Sequence, residues 1–200
     1  VASAPGASMA VVADYDDAAG GGDAPAEIRK NFADAILWVA HGHTDDDGTL
    51  TVDVPFSDDL TTWRLTAIAV DTDTRVGEAS LEVVTTKDLI TRLQAPRFLV
   101  EGDQAWLSVI AHNDTDEELE GTVSLSASEG TAFGEILIDG EPMTSRVGGQ
   151  PPITIPARGE TVIEYLVTAG QPGTCTLTAT VRAGALSDGV ERSIPVLRYG

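Results

Sequence analysis

Two hundred residues suffice for one large or two small domains, and a 42% apolar fraction with a mean hydropathy of +0.01 allows a buried core, which excludes wholesale disorder. Twelve basic against 32 acidic side chains leave a formal charge of −20. That excludes nucleic acid as the default partner and disfavours an anionic membrane surface, because both are held by Lys and Arg.

No apolar run approaches the ~20 residues of a membrane helix. No charged, then apolar, then small-residue leader opens the chain. It reads as soluble, without membrane insertion, and as cut from something larger. A single cysteine, Cys175, cannot form an internal disulfide and sits in an alternating strand pattern, so it reads as a small buried core residue.

Residues 1–27 are rich in Ala, Gly, Ser and Asp, with the run Gly20, Gly21, Gly22 and the acidic Asp14, Asp16 and Asp17. Such a composition buries too little surface to offset chain ordering and predicts a flexible segment that proteases reach first.

From Ile28 the pattern changes to short alternating runs between turn residues, which predicts antiparallel β structure. Candidate strands are residues 36–39, 49–54, 63–70 and 77–84. Asp45, Asp46, Asp47 and Gly48 supply turn chemistry between the first two. In residues 49–54 the apolar Leu50, Val52 and Val54 share one face. Four strands are few for a closed sandwich.

A second block begins near Asp88 and has its own set of strands: 89–93, 105–112, 119–127, 153–155, 161–168, 174–182 and 190–196. Short strands with turn signals every 8 to 12 residues predict an all-β, immunoglobulin- or fibronectin-like sandwich. Trp106, which shares strand parity with Ser108 and Ile110 while Leu107, Val109 and Ala111 take the other face, reads as a core anchor of this sandwich rather than a sugar-binding platform. Residues 130–152 read as an extended loop or edge hairpin with a short strand at 135–138.

Chemistry is sparse. His41 and His43 stand two apart, which on a strand would put both imidazoles on one face, but no third ligand accompanies them and His112 lies in the other block. They read as structural, and no metal or cofactor is expected. The Asp45 to Gly48 run lacks the alternating ligands and terminal Glu of a calcium loop, and reads as a solvated turn. Asn113, Asp114 and Thr115 fit a glycosylation acceptor and also a turn after the Trp106 strand, and the turn is the stronger reading. No nucleophile elbow, phosphate loop, dinucleotide fingerprint or zinc-protease motif occurs, so no catalytic residue is assigned and the chain is read as not an enzyme.

The order of particular residues carries further. Ile28 and Arg29, then Phe32, then Trp38 follow the spacing IR-x-x-F-x-x-x-x-x-W. Thr61, Thr62 and Trp63 open a strand, Lys87, Asp88 and Leu89 lead to Pro96, Arg97 and Phe98, and Ser193 to Val196 close the block. This series, over residues 28–200, resembles the region that follows the bait segment in the alpha-2-macroglobulin family, which includes the complement proteins.

The resemblance implies a partial macroglobulin domain at 28–86, whose earlier strands lie upstream, a complete seven-stranded one at 88–198, and a linker or bait tail at 1–27. A partial domain alone would leave an exposed sheet edge and an unfilled core face. Trp38, Trp63 and Phe98 would hold sandwich cores and their junction. The implied function is protease trapping: a cut in the bait rearranges the connected sandwiches. Cys175 is not followed by Glu-Gln, so these residues carry no thioester.

Partners would be proteases, met through the parent protein, and other macroglobulin domains of the same chain. The implied place is a bacterial periplasm or extracellular cell envelope. The competing reading is an Ig-like scaffold or adhesin module, which the acidic surface fits equally well but which does not call for the ordered Phe32, Trp38, Trp63 and Phe98 series.

Overall fold

The computed structural model describes residues 26–128, 130–143 and 150–200. The flexible-segment expectation for 1–27 falls almost wholly outside them. All regular structure among the described residues is β: β1 (Ile28–Arg29), β2 (Thr62–Val70), β3 (Val76–Val84), β4 (Leu89–Gln94), β5 (Leu99–Val100), β6 (Gln104–Asn113), β7 (Leu119–Ala127), β8 (Ala132–Ile138), β9 (Glu141–Pro142), β10 (Pro152–Ile155), β11 (Glu160–Thr168), β12 (Gly173–Ala183) and β13 (Leu186–Leu197). By contacts the chain divides into two units, one holding Asp59–Thr86 and the other the described residues 26–58 together with Lys87–Gly200.

The larger unit is a two-sheet sandwich. One sheet runs β1-β13-β12-β7-β10, with β5 also paired to β13, and the other runs β4-β6-β11-β8-β9. Period-2 alternation builds both inner faces: Leu107, Val109 and Ala111 on β6, and Leu177, Ala179 and Val181 on β12, are all buried in one core with Ile163, Tyr165 and Val167 of β11. Full burial of each larger apolar side chain stabilises by about 1.5–3 kcal/mol. The outer face of β12 is polar, and Thr180 there shares a hydrogen bond with Ser124 of β7 (2.6 Å). All seven strands expected over 89–196 form. The short strand expected at 135–138 extends to β8 and folds back as β9 through Asp139 and Gly140, both with positive φ (49° and 83°), as a two-residue hairpin loop requires.

Trp106 is a correction. It is 42% exposed on the outer face of its sheet, while Leu107, Val109 and Ala111 fill the core. Three apolar residues of one parity outweigh a single aromatic of the other.

The smaller unit is the antiparallel hairpin β2–β3, in register from Thr62↔Val84 to Val70↔Val76. Its loop is tied by Asp71, whose Oδ1 accepts the N–H groups of Asp73 and Arg75 (both 2.9 Å). Trp63 is buried, whereas Ile68, Val70, Val76 and Val84 are exposed on the other face.

Residues 36–39 and 49–54, expected as strands, join no ladder. Alternation earns a strand only where a partner strand lies alongside, and among the described residues none does. The turn between them does form: Asp45 Oδ1 accepts the N–H groups of Asp47 (3.1 Å) and Thr49 (2.8 Å), and Gly48 has φ +79°. Trp38, expected in a core, is 89% exposed, and Phe98 is 53% exposed.

Candidate functional site

The most highly organised polar cluster of the sandwich joins its first described residues to its last strand. Ile28 and Arg29 add to β13 as a two-residue parallel strand, Ile28 opposite Gly189 and Arg29 opposite Val190. So short a ladder holds little by itself. The side chain of Arg29 does the rest. Its Nε donates to Asp188 Oδ1 (3.0 Å) and its Nη2 to Asp188 Oδ2 (2.8 Å), a forked pair that fits the guanidinium plane to the carboxylate. Nη2 also donates to the backbone oxygen of Thr91 on β4 (2.6 Å).

Asp188 is fully buried and Arg29 is 8% exposed. The carboxylate takes two further donors, the Thr91 N–H (2.7 Å) and Lys87 Nζ (3.2 Å). Thr91 Oγ1 donates to the Asp188 carbonyl oxygen (3.1 Å). Lys87 Nζ reaches a second anion, Glu27 Oε2, at 3.2 Å. One carboxylate thus ties together three stretches of chain. Such a pair adds little net stability over an apolar replacement, and a buried carboxylate left with no cation at all would cost about 3–5 kcal/mol.

The segment that follows is closed on itself. Asp58 Oδ2 accepts the N–H groups of Lys30 (2.9 Å) and Asn31 (2.8 Å), and the Asp58 N–H donates to Asn31 O (2.8 Å). Burial alone would raise the Asp58 carboxyl. The two N–H donors, with the charges of Arg29 and Lys87, outweigh it and hold the group below its ordinary value. The two ends of the stretch from 31 to 58 are thus pinned to each other close after Arg29.

The other residues singled out in the sequence do not gather. His41 and His43 lie in irregular, exposed chain rather than on a strand. His112 Nε2 is 3.2 Å from Asp114 Oδ1 and Nδ1 is 3.8 Å from Glu160 Oε2. Among the described residues no group of three His, Cys, Asp or Glu side chains is arranged to hold a metal ion, and no helix is long and apolar enough to cross a membrane. Cys175 is buried in the core, as its strand pattern implies, with its Sγ 3.3 Å from Thr131 Oγ1.

Asn113 is fully buried, and its Nδ2 donates to the carbonyl oxygens of Glu117 (2.7 Å), Pro156 (3.1 Å) and Ile155 (3.3 Å). Its Oδ1 accepts the Thr115 N–H (2.8 Å). That is the turn reading of this motif, and it leaves no nitrogen for a glycan.

Known proteins place this architecture. A profile described as the alpha-2-macroglobulin family matches residues 35–125. An alpha-2-macroglobulin homolog of Nostoc sp. is 29% identical over 118 residues, covering 55% of this chain and 6% of that protein. An alpha-2-macroglobulin of Ralstonia nicotianae is 32% identical over 95 residues, covering 46% of this chain and 6% of that protein. The crystal structure of trypsin-activated alpha-2-macroglobulin from Escherichia coli shares the fold at a TM-score of 0.62 and 23% identity, over 78% of this chain and 10% of that one. The chain thus spans about 6% of the length of these curated relatives. Fold, ordered motifs and these matches agree, and together they support a fragment of the alpha-2-macroglobulin family.

Proposed function

We propose that this chain is a structural part of a protease-trapping inhibitor and carries the effect of bait cleavage into the sandwich that follows. The observation that carries the reading is the Arg29–Asp188 pair, which fastens the chain just after residues 1–25 to a rigid two-sheet body. A cut upstream changes the load on one defined point and not on a diffuse surface. The E. coli relative is described in a trypsin-activated form, which supports proteases as the partners met through the complete protein. In this reading residues 1–27 are the tail of the bait or the linker after it, the chain has no enzymatic role, and the setting is a periplasm or extracellular cell envelope.

We propose further that residues 28–86 belong to a partial macroglobulin domain completed by strands and domains elsewhere in the same protein, and that 88–198 is a complete one. Two strands alone make a marginal sheet. The exposed Ile68, Val70 and Val76, and the ladderless 36–39 and 49–54, are what a domain lacking some of its strands leaves behind.

Limited proteolysis of the complete natural protein with several unrelated proteases tests the trap. Mapping the first cut by mass, while hydrodynamic radius is followed, should place early cuts within or just before residues 1–27, with a change of shape and intact sandwiches. First cuts elsewhere, or an unaltered shape, would make these domains spacers.

A further inference from the structure

We propose that Lys87 is a reserve counter-ion for Asp188, placed so that the segment bearing Glu27 and Arg29 can leave the sandwich without stranding a buried charge. Four charges meet here. The segment supplies one anion and one cation, Glu27 and Arg29, and the sandwich supplies one of each, Asp188 and Lys87. Docked, the pairs are crossed: Arg29 forks onto Asp188, and Lys87 is shared between Glu27 and Asp188, 3.2 Å from each. When the segment departs it takes away the main partner of Asp188 and, in the same step, the competitor for Lys87. What stays behind is a matched pair, with the Thr91 N–H still on the carboxylate.

Lys87 suits this part. Its side chain is 28% exposed, and its flexible stem ends in a compact ammonium that can settle onto Asp188, which is fully buried within the sandwich. Without such a reserve, detaching β1 would leave a bare carboxylate in the interior and would tend to take the whole sandwich with it. The exchange of partners concerns the sandwich alone and does not depend on protease trapping.

Amide hydrogen exchange on the full 200-residue chain reads the proposal, because it separates opening of the segment from opening of the core. In Lys87→Met the docked state keeps Arg29 on Asp188, while the detached state loses the one other cation that the described residues bring to that carboxylate. The Ile28 and Arg29 amides should therefore exchange about tenfold more slowly, or more slowly still. Lys87→Arg should restore the wild-type rate. A merely structural lysine would give the opposite sign, so unchanged or faster exchange at these amides overturns the proposal, as does failure of Lys87→Met to fold.

The reverse variant provides a second reading. Arg29→Met should free the segment while core amides such as those of Val109 and Ala179 keep their rates within about threefold, and adding Lys87→Met should then accelerate the core by about tenfold or more. If Arg29→Met alone opens the core as far as the double variant does, Lys87 is no reserve.

Discussion

Ile28 lies directly opposite Gly189 in the β1–β13 ladder, and its Cδ1 occupies the space that a Cβ on Gly189 would need. The same added carbon would come within 3.0 Å of Thr180 Cγ2 and 3.2 Å of the Ala179 oxygen. Glycine is required here by close approach, not by an unusual backbone angle. Gly189→Ala should displace Ile28 and cost about 1–3 kcal/mol. Urea unfolding measures the loss, and protease cutting within residues 31–58 should become faster at concentrations where the sandwich stays folded.

Asp58 gives the segment a dependence on pH. Because its carboxyl is held below the ordinary 3.8 when folded, its contribution is fully present above that value and fades as pH falls through the lower, folded one. At neutral pH Asp58→Asn should cost about 1 kcal/mol, since the two N–H bonds are charge-assisted but partly screened by solvent. As pH falls below about 4 the wild type should progressively lose this advantage and the two proteins should converge. Urea midpoints measured for both across that range check the sign. A gap that widened on acidification would contradict it.

Asn113 serves three carbonyl oxygens with one amide nitrogen. Asn113→Ala should destabilise the sandwich by about 1–3 kcal/mol, the cost of leaving buried acceptors unmet. Expressed in a glycosylating secretory host, the folded chain should carry no glycan at this residue, and intact-mass spectrometry decides the point.

Trp38 is the most solvent-open of the three tryptophans, while Trp63 is buried. Trp38→Phe should remove most of the acrylamide-quenchable fluorescence of this chain and change its stability by no more than about 0.5 kcal/mol. A larger loss would mean that Trp38 packs against something in the folded chain.

Reading the sequence worked where one physical signal acts alone. Leu107, Val109 and Ala111 alternate with polar or half-exposed neighbours because a second sheet covers one face of β6, and that cover is enough to reveal both the strand and its inward side. Leu50, Val52 and Val54 alternate just as well and form no ladder, since pattern records a preference for a face and not the presence of a partner strand. The clasp was hidden for a different reason. Arg29 and Asp188 lie 159 residues apart, and in a chain of charge −20 no single aspartate stands out. Arg29 did stand out in the ordered Ile28, Arg29, Phe32, Trp38 series, but nothing local to it named its partner.

Among the described residues β13 has β12 along one side and two stubs along the other: β1 at Gly189 and Val190, and β5 at Val196 and Leu197. Those four positions blunt what would otherwise be a twelve-residue strand with open amides and carbonyls, the kind of border that recruits strands from other molecules. β5 lies within the sandwich unit and stays. Release of β1 would bare the middle of that border, so a loosened segment carries a second consequence besides mobility: it turns a self-contained sandwich into one able to accept a further strand.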